Sequence, residues 1–235
     1  MIENKNVGLV TGGGSGIGSA IAIELAKKNI HVIITGKTLS GLEVTESTIK
    51  LNGGTCTIAQ LDMSDFEGID RLSIEIFQRW GKLDILISNA AILGTLSPLH
   101  HQSSEEFLDV ININLLSNHR LIRSLDALLK KSVFCKAIFL SSSLATNPKS
   151  FWGAYAISKS GLEHMIKIWA EENSHNNLSI TIVNPGKTDT KMRAKAMPGE
   201  NKENLKKPEE VAKKIIDLIF LNKVNKGLRI NIDDI

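Results

Sequence analysis

The chain has 235 residues, a formal net charge of +3 and a hydrophobic fraction of 42%. This length allows one large α/β domain or two small ones. The charge is too small to indicate nucleic-acid binding, and no apolar stretch approaches the roughly 20 residues of a membrane-spanning helix. The start of the sequence lacks the features of a secretion signal. We therefore expect a cytoplasmic protein that binds neither nucleic acid nor membrane.

Short apolar runs alternate with amphipathic segments along the chain. The apolar runs predict seven strands, at residues 7–11, 31–35, 55–61, 83–88, 137–141, 179–183 and 228–232. The segments between them predict helices at residues 17–28, 39–51, 64–80, 104–131, 152–174 and 208–221, with Glu67 in a capping box of the third. Strands separated by helices imply a doubly wound (Rossmann) seven-stranded parallel sheet, covered by helices on both faces.

We expect residues 1–235 to form a single domain. Within it, residues 187–207 form one long irregular stretch, which in a compact domain is typical of a functional lid. The cysteines, Cys56 and Cys135, lie in apolar runs without metal-ligand spacing, so we expect reduced thiols. His100-His101 has no third ligand at metal spacing either, and we predict no metal site.

The single tyrosine of the chain, Tyr155, lies four residues before Lys159. Residues at i and i+4 share a face of a helix, so the phenol and the ammonium can point into one site. A neighbouring ammonium lowers the pKa of a phenol, which is near 10 in free tyrosine, and such a pair can exchange protons near neutral pH. The pattern alone is weak, because ordinary helix surfaces contain it often.

The first predicted strand and helix are joined by the glycine-rich string Thr11-Gly12-Gly13-Gly14-Ser15-Gly16-Ile17-Gly18. Glycines allow the backbone to approach a pyrophosphate, and the helix N-terminus supplies amide donors and positive charge. The string therefore predicts a dinucleotide-binding turn. The alternative is a glycine-rich turn without a ligand.

These motifs together resemble the short-chain dehydrogenase/reductase superfamily, in its single-domain branch. Further positions match that family in order: Asp62 after the third strand, Asn89-Ala90-Ala91 after the fourth, Asn114 in the following helix, Ser142, and Asn184-Pro185-Gly186 after the sixth strand. Ser142 lies thirteen residues before Tyr155, which is the family spacing of the catalytic serine, with Ser141 and Ser143 as rivals.

The resemblance implies hydride transfer between a nicotinamide cofactor and a carbonyl/alcohol substrate. Tyr155 would donate a proton to the developing alkoxide during reduction and accept it during oxidation. Lys159 would lower the pKa of Tyr155 and hold the ribose hydroxyls. Ser142 would orient the carbonyl oxygen, and Asn114 would anchor a water beside the lysine. Taken alone, Asn114 could be only a helix kink and Ser142 only a strand-end hydroxyl.

The resemblance also assigns cofactor-binding positions: Gly12, Gly14, Ser15, Gly16, Ile17, Gly18, Lys37, Thr38, Asp62, Met63, Asn89, Ala90, Tyr155, Lys159, Pro185, Gly186, Thr188 and Thr190. NAD-preferring relatives place an acid at the end of the second strand, where this chain has Gly36 followed by Lys37. Since a glycine leaves space and a lysine attracts a 2′-phosphate, we expect NADP(H) to be favoured over NAD(H). Ser15 stands where many NADP-using relatives carry an arginine, which counts against this preference.

The substrate is not specified by these motifs. The strings around Tyr155 and over residues 184–194 look most like the YciK-like bacterial oxidoreductases. The alternatives are a 3-oxoacyl-thioester (acyl-carrier-protein) reductase and a non-catalytic nucleotide-binding regulator; a sugar-nucleotide epimerase would need a shorter glycine spacing. Trp152 would line the substrate pocket or only pack the helix start.

Two features of the second half of the chain leave alternatives open. Residues 187–214 contain nine lysines and arginines against five acids, which is either a solvated surface or a basic rim that steers an anionic substrate. Thr188 replaces an aliphatic residue of the family pattern, so we expect the contacts to the carboxamide to differ in detail from those of the family. The resemblance further implies a homodimer or homotetramer, with the helices at 104–131 and 152–174 as the usual dimer surface.

Overall fold

The computed structural model describes residues 5–221 and 224–235. Residues 1–4, where the sequence lacks the features of a secretion signal, lie outside the described residues. The strands are β1 (Val7–Thr11), β2 (His31–Gly36), β3 (Thr55–Gln60), β4 (Ile85–Ser88), β5 (Lys136–Leu140), β6 (Ser179–Asn184) and β7 (Lys226–Asn231). The α-helices are α1 (Gly16–Lys27), α2 (Leu39–Leu51), α3 (Phe66–Trp80), α4 (Ser104–Ile111), α5 (Ser117–Lys130), α6 (Gly153–Glu172), α7 (Lys191–Ala196) and α8 (Pro208–Phe220).

The strands form one parallel sheet in the order β3-β2-β1-β4-β5-β6-β7. Strands β1, β4, β5 and β6 are buried along their whole length, which explains why they read as continuous apolar runs rather than alternating ones. The predicted doubly wound seven-stranded sheet is confirmed.

Helices cover both faces of this sheet. On one face, the apolar sides of α3, α5 and α6 pack through residues such as Ile76, Leu125 and Ile166. On the other, α1, α2 and α8 pack through residues such as Ile21 and Ile215. Among the described residues, no helix combines the length and the apolar character that crossing a bilayer requires.

The start of α3 differs from the predicted one. The helix begins at Phe66, and the Asp65 carboxylate caps it by accepting a hydrogen bond from the Gly68 amide at 2.8 Å. Ser64 does not cap the helix, because its amide and hydroxyl both donate to Asp62 Oδ1, at 3.0 and 2.8 Å. The predicted helix is present and ends at Trp80 as expected, but its start at Ser64 and the Glu67 capping box were wrong.

The single long helix predicted at 104–131 is interrupted. A π-helical turn at Asn112–Leu116 separates α4 from α5. Asn114 in this turn is fully buried, and the Asn118 side chain donates to its carbonyl oxygen at 2.9 Å. Turns of this kind are concentrated at functional sites, and apolar spacing does not reveal them.

The predicted irregular segment, residues 187–207, contains regular structure. Thr190 caps α7 by accepting a hydrogen bond from the Arg193 amide at 3.1 Å, and a short 3₁₀ turn follows at Lys202–Asn204. Thr188 and Lys206 form a β-bridge that brings the two ends of the segment together. A six-residue helix is too short to produce a readable hydrophobic period.

Candidate functional site

The predicted site residues lie at one edge of the sheet. The glycine turn follows β1, Asn89 follows β4, Ser142 follows β5 and Pro185 follows β6. All these strands are parallel, so their carboxyl ends meet at the same edge. Strand β1 lies between β2 and β4, which is the point where the strand order reverses and where sheets of this kind bind ligands.

The glycine turn packs closely on the start of α1. Gly12 and Gly16 have φ values of 66° and 55°, which favour glycine. A side-chain carbon on Gly18 would overlap the Gly12 carbonyl oxygen, so the helix contacts the turn directly. Ser15 precedes the helix with an exposed side chain that makes no capping hydrogen bond, and the first turn of α1 carries no acid. The positive end of this helix is therefore not neutralised by its own sequence.

Asn89 joins this turn to the end of β4. Its side-chain amide donates to the carbonyl oxygens of Thr11 and Gly12, at 3.0 and 3.3 Å. The backbone amides of Asn89 and Ala90 both donate to the Thr11 hydroxyl at 3.0 Å. The role of Thr11 cannot be read from a local sequence pattern, because its partners are 78 and 79 residues away.

The end of β2 carries an exposed ion pair. The Lys37 ammonium lies 2.8 Å from Asp62 Oδ2, and the Lys37 side chain is 82% exposed. The hydrogen bond from Lys37, with further ones from Ser64, lowers the pKa of Asp62. Thr38 is exposed at the start of α2. The Met63 side chain instead belongs to the core, where it is 6% exposed.

Tyr155 and Lys159 lie on α6, one turn apart. The Lys159 ammonium donates to the Leu140 carbonyl oxygen at 2.8 Å and is 5.9 Å from the centre of the Tyr155 ring. Burial raises the pKa of Tyr155 to about 12, against the effect of a hydrogen bond with the Ser142 side chain. Burial also lowers the pKa of Lys159 to about 8, against the effect of the Glu163 charge.

In this structure burial dominates the pKa of the phenol, and the lowering of that pKa by Lys159 stays a prediction. Both groups are desolvated, and desolvation disfavours the charged form of each. The Lys159 ammonium also points at a backbone carbonyl, Leu140, rather than at the phenol oxygen. The result is a protonated phenol beside an ammonium that is largely charged at pH 7.

The three consecutive serines after β5 have different surroundings. Ser141 donates to a Glu163 carboxylate oxygen at 2.6 Å and is buried, whereas the Ser143 side chain is exposed. Ser142 accepts a hydrogen bond from the Leu144 amide at 3.2 Å, and its side chain lies close enough to the Tyr155 phenol to lower the pKa of that phenol. Of the three, Ser142 is the serine that the structure brings to the tyrosine.

Asn114 holds the loop that follows β4. Its side chain accepts from the Ile92 amide at 2.8 Å and donates to the Ile92 carbonyl at 2.9 Å. It also donates to the Ser158 hydroxyl at 3.1 Å, and Ser158 in turn donates to the Tyr155 carbonyl at 2.7 Å. Asn114 thus connects the π-helical turn to the tyrosine helix through Ser158. Its side chain bonds Ile92 and Ser158 and not Lys159.

The turn after β6 reaches the glycine turn. Gly186 has a φ of 69°, and its amide donates to Asn184 Oδ1 at 3.2 Å. Thr188 is buried, with its hydroxyl 3.4 Å from the Gly186 carbonyl. A side-chain carbon on Gly16 would lie 3.3 Å from the Thr190 methyl, so the start of the predicted lid lies over the glycine turn.

Apolar side chains surround Tyr155. Trp152 is 8% exposed, with its ring centre 6.0 Å from that of Tyr155. The rest of this apolar wall comes from the loop after β4, the turn after β5, α6 and the lid: Leu93, Leu96, Leu144, Ala156, Met192, Ala196 and Met197. Trp152 therefore packs the helix start and forms part of the wall at once.

The basic stretch at residues 187–214 is partly neutralised by ion pairs. Arg193 makes two hydrogen bonds to Glu200, at 2.5 and 2.6 Å, and Lys187 lies 3.9 Å from the same carboxylate. Lys207 pairs with Asp189 at 3.0 Å, and Lys206 pairs with Asp233. Within residues 5–221 and 224–235, no group of three or more His, Cys, Asp or Glu could hold a metal ion.

Comparison with known proteins agrees with this geometry. The profile of the family described as short chain dehydrogenase matches residues 6–201. The uncharacterized oxidoreductase YciK of Escherichia coli K12 is 33% identical over 88% of this chain and 83% of its own length, which confirms the resemblance to the YciK-like group. The 3-oxoacyl-[acyl-carrier-protein] reductase FabG of Pseudomonas aeruginosa is 32% identical over 85% of this chain and 80% of its own.

A solved structure gives the same result. A chain from Shigella flexneri, described as a short chain dehydrogenase complexed with NADP, has a TM-score of 0.91 and 30% identity, with 98% of each chain covered. The matched profile spans the glycine turn, the three serines and the tyrosine helix. The chain therefore belongs to the short-chain dehydrogenase/reductase family of oxidoreductases.

Proposed function

We propose that this protein catalyses NADP(H)-dependent hydride transfer between nicotinamide and a carbonyl/alcohol substrate, with Tyr155 as general acid/base. The observation that carries the proposal is the cluster of Ser142, Tyr155 and Lys159 at the edge where the glycine turn also lies. A phenol, a hydroxyl and an ammonium are the groups that a developing alkoxide needs for stabilisation and protonation.

The chain's own residues would move the proton. The nicotinamide, when bound, supplies a hydride to the carbonyl carbon. The Tyr155 O–H bond breaks as its proton passes to the carbonyl oxygen, and Ser142 donates a hydrogen bond to the same oxygen. Since the pKa of Tyr155 is about 12, the phenol is protonated at neutral pH and able to donate. The Lys159 ammonium then stabilises the phenolate that remains.

The glycine turn fits a dinucleotide. The start of α1 packs directly on the turn, because a side chain on Gly18 would overlap the Gly12 carbonyl. With no side chains in the way, a pyrophosphate can approach the backbone of the turn. The start of α1 carries no acid, so its amides and dipole favour the phosphate charge. Thr190 lies against Gly16 and would close over the bound cofactor from the lid side.

Lys37 supports a preference for NADP(H) over NAD(H). Gly36 occupies the position where NAD-preferring relatives carry a ribose-binding acid. The next residue, Lys37, has an exposed ammonium. The partner of Lys37, Asp62, belongs to the next strand's end, and a 2′-phosphate would compete with it for the ammonium. The Shigella flexneri neighbour, which is complexed with NADP, supports the same choice.

The surroundings of Tyr155 favour an apolar carbonyl substrate. The wall contributed by Leu93, Trp152 and Ala196 is apolar, and two methionines of the lid, Met192 and Met197, add adaptable surface. The basic stretch offers less charge to an anionic substrate than its composition indicates, because four of its cations already have acidic partners. A basic rim built from the other lysines stays a proposal.

A 3-oxoacyl-thioester reductase is the second candidate for the substrate. The Pseudomonas aeruginosa relative has that activity by name, and its similarity covers most of both chains. An acyl chain would also suit the apolar wall around Tyr155. The third reading, a nucleotide-binding regulator without activity, is disfavoured because Asn114, Ser142, Tyr155 and Lys159 are all retained.

The experiment is a substrate screen that follows NADPH absorbance with aldehydes, ketones, quinones and acyl thioesters. We expect turnover with apolar ketones or with 3-oxoacyl thioesters, and the class that reacts separates the two candidates. NADPH binding measured by fluorescence runs alongside it. Binding without turnover on any carbonyl class would favour the regulator, and absence of binding would refute the proposal.

We also propose that the protein is a cytoplasmic homo-oligomer. Leu108 on α4 and Ile157 and Ile168 on α6 are 57%, 47% and 50% exposed. Helices α4 and α6 pack on each other, and large exposed apolar side chains on neighbouring helices are candidates for an interface. The exposed Phe220 and Leu228, on α8 and β7, offer a second surface through which a dimer could become a tetramer.

A further inference from the structure

An ion pair between a buried carboxylate and a partly buried guanidinium joins the tyrosine helix to the last strand of the sheet. Glu163 lies one turn beyond Lys159 on α6 and is 4% exposed. One of its carboxylate oxygens accepts hydrogen bonds from Arg229 Nε at 2.9 Å and from the Ser141 hydroxyl at 2.6 Å. The proposed proton transfer uses neither Glu163 nor Arg229, yet burying two charges is expensive unless they are well paired.

The Arg229 guanidinium extends from this pair to two segments of the site. Its Nη2 donates to the backbone carbonyl of Ser142 at 3.2 Å. Its Nη1 donates to Asn231 Oδ1 at 2.5 Å, and the same oxygen accepts from the Asn184 side chain at 3.1 Å. Asn184 in turn accepts from the Gly186 amide. One side chain of β7 therefore connects the serine and the turn after β6.

Glu163 also provides charge beside Lys159. On α6 the neighbours of the Lys159 ammonium are Tyr155, which is neutral, and Glu163. The positive charge of Arg229, on β7, forms an ion pair with Glu163. From β5 the ammonium meets a carbonyl oxygen, that of Leu140. Burial lowers the pKa of Lys159 to about 8, and the Glu163 charge opposes that effect.

We infer that Glu163 and Arg229 are positioning residues of this site: Arg229 holds the backbone of Ser142 in place, and Glu163 places a negative charge one helical turn from Lys159. The inference rests on the proposed function, in which Ser142 orients the substrate and Lys159 holds the ribose. It predicts that the two residues have separable effects, one on turnover and the other on pH dependence.

The first test is Glu163→Gln, which keeps the shape and the hydrogen-bond acceptor but removes the charge. Loss of the charge lowers the pKa of Lys159, so its ammonium is lost at lower pH. We expect the rise in the Kd for NADPH, followed by fluorescence from pH 6 to pH 9.5, to shift to lower pH. For a half-unit change in pKa, binding should be about twofold weaker than wild type near pH 8 and about threefold weaker near pH 9. Glu171→Gln, an exposed acid at the end of the same helix, is the matched control.

The second test is Arg229→Lys, which keeps the charge beside Glu163 but loses the fork that reaches Ser142 and Asn231. We expect kcat to fall about tenfold, with the pH profile of NADPH binding unchanged. If Arg229→Lys fails to fold, the double variant Glu163→Gln/Arg229→Gln leaves no unpaired buried charge, and should fold and show a profile shifted in the same direction as that of Glu163→Gln.

A purely structural pair would give a different result. Both single variants would then lower thermal stability while the pH profile of NADPH binding stayed at its wild-type position. A Glu163→Gln profile that superimposes on wild type, or an Arg229→Lys kcat equal to wild type, would overturn the inference. Because wild-type NADPH binding is measured in the same series, failure of the proposed function itself would be visible separately, as absence of binding.

Discussion

At the scale of single residues, the site depends on small differences between chemically similar neighbours. Ser141, Ser142 and Ser143 are adjacent in sequence, but the first donates a hydrogen bond to Glu163, the second lies beside the Tyr155 phenol, and the third is exposed. The family spacing selects Ser142 from the sequence. The physical reason for the selection, the side-chain partner of each serine, depends on where β5 ends relative to α6 and becomes visible in the structure.

Replacement of Ser142 tests this selection. Ser142→Ala removes a hydroxyl that would bond the carbonyl oxygen in the transition state, and we expect kcat to fall about 100-fold. Ser143→Ala is the matched control, since its side chain is exposed. Steady-state kinetics on both variants measure the difference. Equal losses in the two variants would contradict the role given to Ser142.

Lys37 tests the cofactor preference. Lys37→Ala removes the ammonium that would bind a 2′-phosphate, so we expect the KM for NADPH to rise about tenfold, which corresponds to about 1.4 kcal/mol. The KM for NADH should change little, because NADH has no phosphate at that position. Lys50→Ala, which removes an exposed lysine of the neighbouring helix α2, is the control. A parallel rise for both cofactors would show that Lys37 does not read the phosphate.

Thr11, Glu163 and Arg229 mark the limit of prediction from the sequence at this scale. Tyr155, Lys159 and the glycines were found because their partners are close in sequence or follow a known spacing. Glu163 and Arg229 hydrogen-bond to each other although they are 66 residues apart in the sequence. The Asn89 amide and the Thr11 hydroxyl are 78 residues apart. Contacts of that range depend on the strand order, which a local pattern does not encode.

At the scale of secondary-structure elements, the π-helical turn at Asn112–Leu116 is the main departure from expectation. The sequence predicts one helix because the apolar period continues through the turn. The buried Asn114 is what distinguishes it, since its side chain satisfies both backbone groups of Ile92. The sequence alone does not distinguish an asparagine that hydrogen-bonds a loop in this way from an ordinary asparagine within a helix.

Replacement of Asn114 therefore affects stability as well as activity. In Asn114→Ala the amide and carbonyl of Ile92 lose their partner, and we expect the free energy of unfolding to fall by about 2 to 4 kcal/mol. Urea denaturation measures this change. Asn147→Ala, at an exposed asparagine bonded locally to Thr146, should have little effect. A stability equal to wild type would show that the loop after β4 does not depend on Asn114.

At the scale of the whole molecule, the sheet explains why the site was largely predictable. Every strand is parallel, so residues that follow different strands are delivered to one edge whatever their separation in sequence. Continuous apolar runs identify the strands, and the residues after them form the site. What the runs do not give is the inner structure of the segment 187–207, whose short α7 is held by Thr190 and by the Arg193–Glu200 pair.

The proposed assembly is tested on the surface of α6. Ile157 and Ile168 are eleven residues apart and so lie on nearly the same face of the helix. Ile157→Asp/Ile168→Asp should convert the oligomer to a smaller species, measured by light scattering after size-exclusion chromatography. Leu51→Asp, at an 88% exposed position at the end of α2, is the control. An unchanged mass for the α6 variant would place the interface elsewhere.

The central claim is that Tyr155 transfers the proton, and Tyr155→Phe tests it most directly. This variant keeps the ring and its contact with Trp152 but removes the hydroxyl. On the substrate found in the screen, we predict that kcat falls on the order of 10³-fold, within the range for loss of a general acid, while the Kd for NADPH stays close to wild type. Turnover that survives at the wild-type rate would contradict the account.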